Sequence, residues 1–201
     1  TDKVGIGAAI QFEDDGPSAS IERTTANAVL DESAGAMVGD ANAASDDPPF
    51  VNPFPGGYGT AIGLVSGVDL VDTTTDAGAD GLGTLGVTLE IVGGTGASSG
   101  LKTTAGTDIN LYLESDGSVT GRTGSASGPV AFAISIDSDG KVTVAQYLTL
   151  KHPLGGANHD DMVDLSDKLN AVVTISDADT DTATDKVGIG AAIQFEDDGP
   201  S

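Results

Sequence analysis

Val187, Ile189, Ala191, Ile193 and Phe195 occupy every second position, with Lys186, Gly188, Gly190, Ala192 and Gln194 between them. That period of two predicts a half-buried strand from Lys186 to Phe195 with one apolar face. The β-branched-rich run Leu169 to Ile175 precedes it, and the polar loop Ser176 to Asp185 joins the two as an antiparallel hairpin. Val130, Phe132, Ile134 and Ile136 alternate into Asp137-Ser-Asp-Gly140. Val142, Val144, Leu148 and Leu150 continue beyond, with Gln146 breaking the pattern. Ile109, Leu111 and Leu113 run into Ser115-Asp-Gly117 ahead of Val119, and Val87, Leu89 and Ile91 stop at Gly93-Gly94. Glycine after aspartate supplies the positive φ of a hairpin tip. A first strand is expected from Ser20 to Val29, and helix is expected only as a short piece within Asp160 to Leu169. Strand-length segments between regular turn signals predict an all-β, antiparallel β-sandwich.

Residues 33 to 85 fit this pattern less well. They contain Asp46-Asp-Pro-Pro-Phe50 and Asn52-Pro-Phe-Pro-Gly-Gly-Tyr58, a Pro/Gly-rich tract that cannot be a central strand. The tract reads as a long surface excursion, with edge strands at Ile62 to Val65 and Val68 to Val71. Such a loop is either a tolerated insertion or a binding element on a rigid scaffold.

The first eighteen residues, Thr1 to Ser18, return letter for letter as Thr184 to Ser201, an offset of 183 residues. This period is too long for a solenoid unit and is the size of a whole domain. The expected organisation is therefore tandem. Residues 1–15 are the last strand and linker of one repeat, residues 16–198 a complete repeat, and residues 199–201 the start of the next.

The formal net charge of −23 sets 31 acidic side chains against 8 Lys and Arg. Nucleic acid is not expected as a partner, because the basic footprint is missing, and direct contact with an anionic membrane surface is not expected for the same reason. No apolar run reaches the length of a membrane span, and no signal peptide is visible, as a fragment from within an array would have none to show. There is no cysteine, which suits either a reducing compartment or an exported protein that holds its fold without disulfides.

The acids cluster. Glu13, Asp14 and Asp15, and their copies Glu196, Asp197 and Asp198, follow the final strand and lead into the next repeat. Asp177, Asp179 and Asp181 lie in the last hairpin loop, and Asp31 and Glu32 follow the first predicted strand. A ten-residue strand from Lys186 to Phe195 spans about 33 Å, placing Asp177 to Asp181 at the opposite end of the domain from Glu196 to Asp198. That opposite end is where the chain enters, at Glu13 to Asp15, so distant carboxylates are expected to meet at the junction of consecutive repeats. Crowded anions would take up protons or force the loops apart unless a cation intervenes. Oxygen-only donors in flexible loops match Ca²⁺, whereas the lack of thiolates and scarcity of histidine argue against zinc or copper. Asp-x-Asp-x-Asp is also an ordinary polar turn. Asp76, Asp80, Asp137 and Asp139 are weaker candidates for which turn chemistry serves equally well.

Thr174-Ile-Ser-Asp-Ala-Asp-Thr-Asp181, the alternating strand and Phe195-Glu-Asp-Asp-Gly-Pro200 resemble the C-terminal part of tandem repeats in giant RTX adhesins, which Gram-negative bacteria export by type I secretion. Leu150-Lys-His-Pro153, Asp160-Asp161, Leu165 and Leu30-Asp-Glu-Ser33 also resemble that pattern. The likeness is strongest from Ala131 onward and vague between Ala34 and Leu85. Thr180 stands where the family commonly has glycine. The resemblance implies an immunoglobulin-like, cadherin-like extender module, rigidified by Ca²⁺ on the bacterial cell surface. Neighbouring identical repeats are its partners, and terminal adhesin domains engage the external ligand in adhesion or biofilm formation. On that analogy Glu13, Asp14 and Asp15 join Asp177, Asp179 and Asp181 as junction ligands.

Two rival readings remain. Each repeat is itself an adhesive module, binding sugar, protein or a surface through the 46–58 loop; binding by the isolated domain separates this from a spacer. An enzyme would need a nucleus such as His159-Asp160-Asp161, but no nucleophile motif, P-loop or metalloprotease spacing appears, so catalysis is not expected. His152 and His159 read as structural or loop residues.

Overall fold

The alternating segments become strands, in a computed structural model that describes residues 15–32, 51–154 and 161–197. In chain order they are β1 (Ser18–Arg23), β2 (Ala28–Asp31), β3 (Gly63–Asp69), β4 (Val71–Asp76), β5 (Leu82–Ile91), β6 (Ser98–Lys102) and β7 (Asp108–Leu113). They continue with β8 (Val119–Thr123), β9 (Val130–Ile136), β10 (Lys141–Gln146), β11 (Met162–Asp164), β12 (Leu169–Asp177), β13 (Thr182–Gly188) and β14 (Ile193–Glu196). Two short 3-10 turns, Gly56–Tyr58 and Gly190–Ala192, are the helical elements among the described residues. None is long or apolar enough to cross a membrane.

The fold is an all-β sandwich built from antiparallel ladders. A six-stranded sheet has the order β3-β10-β9-β8-β7-β6; β13-β12-β5 and β11-β14-β2 form three-stranded sheets, and β1 pairs with β4. The parallel pair is β2 with β14. One core cluster runs through all these ladders, because each strand turns its alternate apolar residues inward. Phe132 of β9 and Phe195 of β14 are fully buried, with ring centroids 5.2 Å apart and planes tilted by 41°. This contact ties the six-stranded sheet to the strand by which the chain leaves. Each ring contributes on the order of 2–3 kcal/mol of burial.

The predicted ten-residue strand is interrupted. β13 ends at Gly188, a 3-10 turn follows, and β14 resumes at Ile193. The reason is a change of sheet: β13 pairs with β12, whereas β14 pairs with β11 and β2. Within the turn Ala192 is buried and Ala191 exposed, contrary to the simple alternation, which resumes at Ile193 and Phe195. The strands nevertheless continue in one direction. Ser176 faces Thr182 and Asn170 faces Gly188. Further along, Ile189 N–H donates to Leu169 O, Leu165 N–H donates to Gly190 O, and Met162 faces Glu196. β11–β12 and β13–β14 thus make one long hairpin, roughly 40 Å from the Asp177–Asp181 turn to Glu196 at ordinary rises per residue.

Three other expectations change. The single strand expected over Ser20–Val29 is split into β1 and β2, with Thr24 Oγ1 donating to Asp69 O at the break. In place of a short helix after Asp160, the chain forms β11 and a turn in which Ser166 N–H donates to Asp164 Oδ1. The described part of the 33–85 tract is well integrated, while residues 33–50 lie outside the described residues. Ile62 to Val71 form the edge strand β3 and the start of β4 rather than two short strands. Phe54, Ala61 and Leu64 pack with Val130, Ala133, Ala145 and Tyr147 as a second cluster on the outer face of the six-stranded sheet. Asn52 donates to Tyr147 Oη at 3.0 Å, and Tyr58 meets Tyr147 edge-on. This cover explains why β9 buries Val130, Ala131, Phe132, Ala133 and Ile134 in succession instead of alternately.

Candidate metal centre

Parity along β12 sets the site. Leu169, Ala171, Val173 and Ile175 face the core, and the next residue of that parity is Asp177, which is 2% exposed. Asp177 is therefore the last residue of a strand, not part of the loop, and its carboxylate occupies a position the pattern reserves for an apolar side chain. Asp181 donates its backbone N–H to Asp177 Oδ1 at 2.8 Å, and Asp177 N–H donates to Asp181 O, closing the turn. Asp177 Oδ2 is buried without a hydrogen-bond partner. A buried anionic oxygen lacking a donor costs more than the 1–3 kcal/mol of a neutral orphan.

Among the described residues, one group of acids converges closely enough to hold a metal ion. Asp177, Asp179 and Asp181 each place a carboxylate oxygen within 4.8 Å of the others. Asp179 and Asp181 are exposed, so the mouth of the site is open to solvent. Thr180, between them, has φ +85°, a strained value for a β-branched residue. Glycine would adopt that conformation without strain. Gly83 of β5 lies against the turn, where the β5–β12 register shifts between Ser176 and Asp177. A Cβ at Gly83 would overlap the Asp177 carbonyl oxygen, so a side chain there would displace Asp177.

Further carboxylates gather at the same end. Ser18 faces Asp76 across β1–β4, and Leu82 faces Asp177 across β5–β12, with a five-residue turn between β4 and β5. Asp15 lies against that turn, since a Cβ at Gly78 would overlap the Asp15 carbonyl oxygen. The structure thus brings Asp15 to the Asp177–Asp181 end, together with Asp76 and Asp80. Glu13 and Asp14 lie outside the described residues. Asp76 Oδ1 accepts Gly78 N–H, an ordinary turn use of aspartate. Asp137 is likewise a turn residue, its Oδ1 accepting the N–H groups of Asp139 and Lys141, and it lies with Asp139 at the β9–β10 tip.

The remaining predicted residues occupy the opposite end of the long hairpin. Asp31 and Glu196 are neighbours across the parallel β2–β14 pair, and Asp197 N–H donates to Asp161 O. Glu32 Oε1 accepts the Leu150 N–H at 2.7 Å and bonds Gln146 Nε2, so this carboxylate fastens β10 to the segment after β2. Asp198 lies outside the described residues. Asp161, read from the sequence as part of the resemblance and of a discounted catalytic nucleus but not as a metal candidate, is buried and accepts Leu154 N–H at 2.7 Å. His152, expected as a structural or loop residue, is buried with neither ring nitrogen partnered, and Gln146, expected only as a break in the strand pattern, has a buried Oε1 without a partner. For Gln146 the signal was its place on the apolar parity of β10.

The donor set of Asp177, Asp179 and Asp181 is oxygen only, anionic and open on one side. That chemistry suits a hard divalent cation of variable coordination such as Ca²⁺. No curated protein and no solved structure matches this chain. A family model described as "Domain of unknown function (DUF5801)" matches residues 25–190, the greater part of the sequence. The chain belongs to the DUF5801 family.

Proposed function

We propose that this chain is one period of a tandem array of β-sandwich modules that extends a bacterial surface adhesin of the RTX type, and that Ca²⁺ folds and stiffens it. The carrying observation is Asp177, a carboxylate at a core-facing position whose Oδ2 has no donor while Asp179 and Asp181 converge on it. The position of Asp15 beside the same turn supports the reading, because the segment entering from a preceding repeat then arrives where the ion is held. In this reading the module has no catalytic step; it is a strut. A cation at Asp177–Asp181 compensates the crowded anions and fixes the turn. Where calcium is scarce, repulsion within a chain of net charge −23 keeps the modules loose. Where calcium is at extracellular levels, sites of about 10⁻⁴ to 10⁻³ M affinity fill.

Each site held at ten times its Kd adds about 1.4 kcal/mol to folding stability. In a domain of this length that corresponds to a rise in Tm of roughly 3–6 °C per site. Melting the chain in millimolar calcium and again in chelator tests the proposal. A rise of that size or more upholds it, and coincident melting curves contradict it.

A further inference from the structure

Both ends of the module expose apolar side chains among their carboxylates. At the Glu196 end, Leu154 is 68% and Met162 48% exposed. Met162 is the ladder partner of Glu196, and Leu154 donates to Asp161, whose carbonyl oxygen receives Asp197 N–H. Met162 thus lies beside the last strand, and Leu154 is tied to the same end through Asp161. At the Asp177 end, Leu82 is 59% and Leu85 45% exposed. Leu82 faces Asp177 and Leu85 faces Ile175 across the β5–β12 ladder. Leu85 shares parity with the buried Val87, Leu89 and Ile91, so a core-facing leucine lies open where the sandwich ends.

The repeated sequence states which surfaces meet. Residues 184–201 reproduce residues 1–18, so Ser201 corresponds to Ser18, the first residue of β1. β14 ends at Glu196, which leaves only Asp197, Asp198, Gly199 and Pro200 between the last strand of one period and the first strand of the next. Five Cα steps reach at most about 18 Å. Ser18 lies at the Leu82 end, beside Asp76. A link this short sets the Leu154–Met162 end of one period against the Leu82–Leu85 end of its successor.

We propose that Leu154 and Met162 of one period dock against Leu82 and Leu85 of the following period, as an apolar seat within the acidic joint. This rests on the tandem reading above and adds the faces that meet. Exposed leucines scattered singly over a surface are ordinary. These four gather at the two ends that a four-residue link forces together. The carboxylates around the seat repel until cations compensate them; the apolar contact then excludes water and selects one relative orientation.

The chain has no cysteine, so introduced thiols report alone. The chain to test is residues 1–201 continued with a second copy of 19–201, in calcium. Met162→Cys in the first period is combined with Leu82→Cys in the second. The control combines Met162→Cys with Val92→Cys in the second period, which is 41% exposed but lies midway along the long hairpin, where Val92 N–H donates to Lys168 O. The Met162/Leu82 pair is expected to close with a short thiol crosslinker about tenfold faster than the control, by effective concentration. Equal rates overturn the docking. In the same two-period chain, Leu154→Ser with Met162→Ser should restore bending in calcium, read by small-angle scattering, and an unchanged scattering profile counts against the seat. A calcium titration of the 201-residue chain separates the two readings: absence of binding defeats the metal proposal, while the crosslinking rates still decide the docking.

Discussion

Leu82 faces Asp177 across the β5–β12 ladder, the former 59% exposed and the latter 2%. An apolar side chain stands in solvent while its partner in register, a carboxylate, is buried. This inversion, at the end of a sandwich, gives the Asp177 site both its cost and its use.

Asp177→Asn should reverse the sign of its effect with the metal. In chelator the amide keeps an acceptor for Asp181 N–H and turns a donor towards the neighbouring carboxylates, so Tm should hold or rise, by up to about 1 kcal/mol of stability. In calcium the variant should melt below the unsubstituted chain. Asp116→Asn is the control. Its Oδ1 accepts the Oγ–H and N–H of Ser118, which hold its carboxyl below the usual range, and it is not among the converging carboxylates, so both conditions should show the same loss.

Thr180→Gly should stabilise the chain. Relief of a strained φ of +85° is worth about 1 kcal/mol, less the entropy that glycine adds to the unfolded chain. Melting in chelator isolates this effect, and a loss of 1 kcal/mol or more there would show that the Thr180 side chain has a contact that outweighs its strain.

Phe54→Ala should cost about 3–4 kcal/mol in denaturant unfolding, as expected for a buried aromatic in a packed cluster. Val51→Ala, on a side chain 92% exposed, should be neutral within 0.5 kcal/mol on the order of surface substitutions. Equal, small effects would return the 51–62 segment to the status of a loose insertion.

Glu90 links β5 to the final hairpin. Hydrogen bonds from Lys186 first, then Asn170, hold its carboxyl below its ordinary value near 4.5. The folded state therefore binds the proton less readily than the unfolded chain. The contribution is fully present above the ordinary value and is lost as pH falls through the lower folded value. Glu90→Gln should flatten stability against pH in that acid window and leave it nearly unchanged at neutral pH. The effect is below about 1 kcal/mol, because both side chains are half-exposed.

The strands themselves were legible wherever an apolar residue recurred every second place, as in β5, β7, β9 and β12. What parity cannot express is a change of partner. Val187 through Phe195 keep their alternation across a turn that moves the chain from one sheet to another, and only Gly188 and Gly190 hint at the break. Likewise nothing local in Asn52-Pro-Phe-Pro says that Phe54 will cover Val130 and Ala133, which are more than seventy residues away. At the candidate site the residue types were readable, and so was their separation from Glu196. The burial of Asp177 was encoded too, since it follows Ile175 at the core-facing spacing, but a reading that placed it in a loop overlooked it. Glu32 was readable as an acid, and its bonds to Leu150 and Gln146 were not.

Calorimetric titration of calcium into the 201-residue chain and into Asp177→Asn is the most direct trial. Saturable binding with a Kd of about 10⁻³ M or tighter, weakened at least tenfold by the single substitution, is the predicted result. Identical isotherms for the two chains, or no heat of binding in either, would contradict the account.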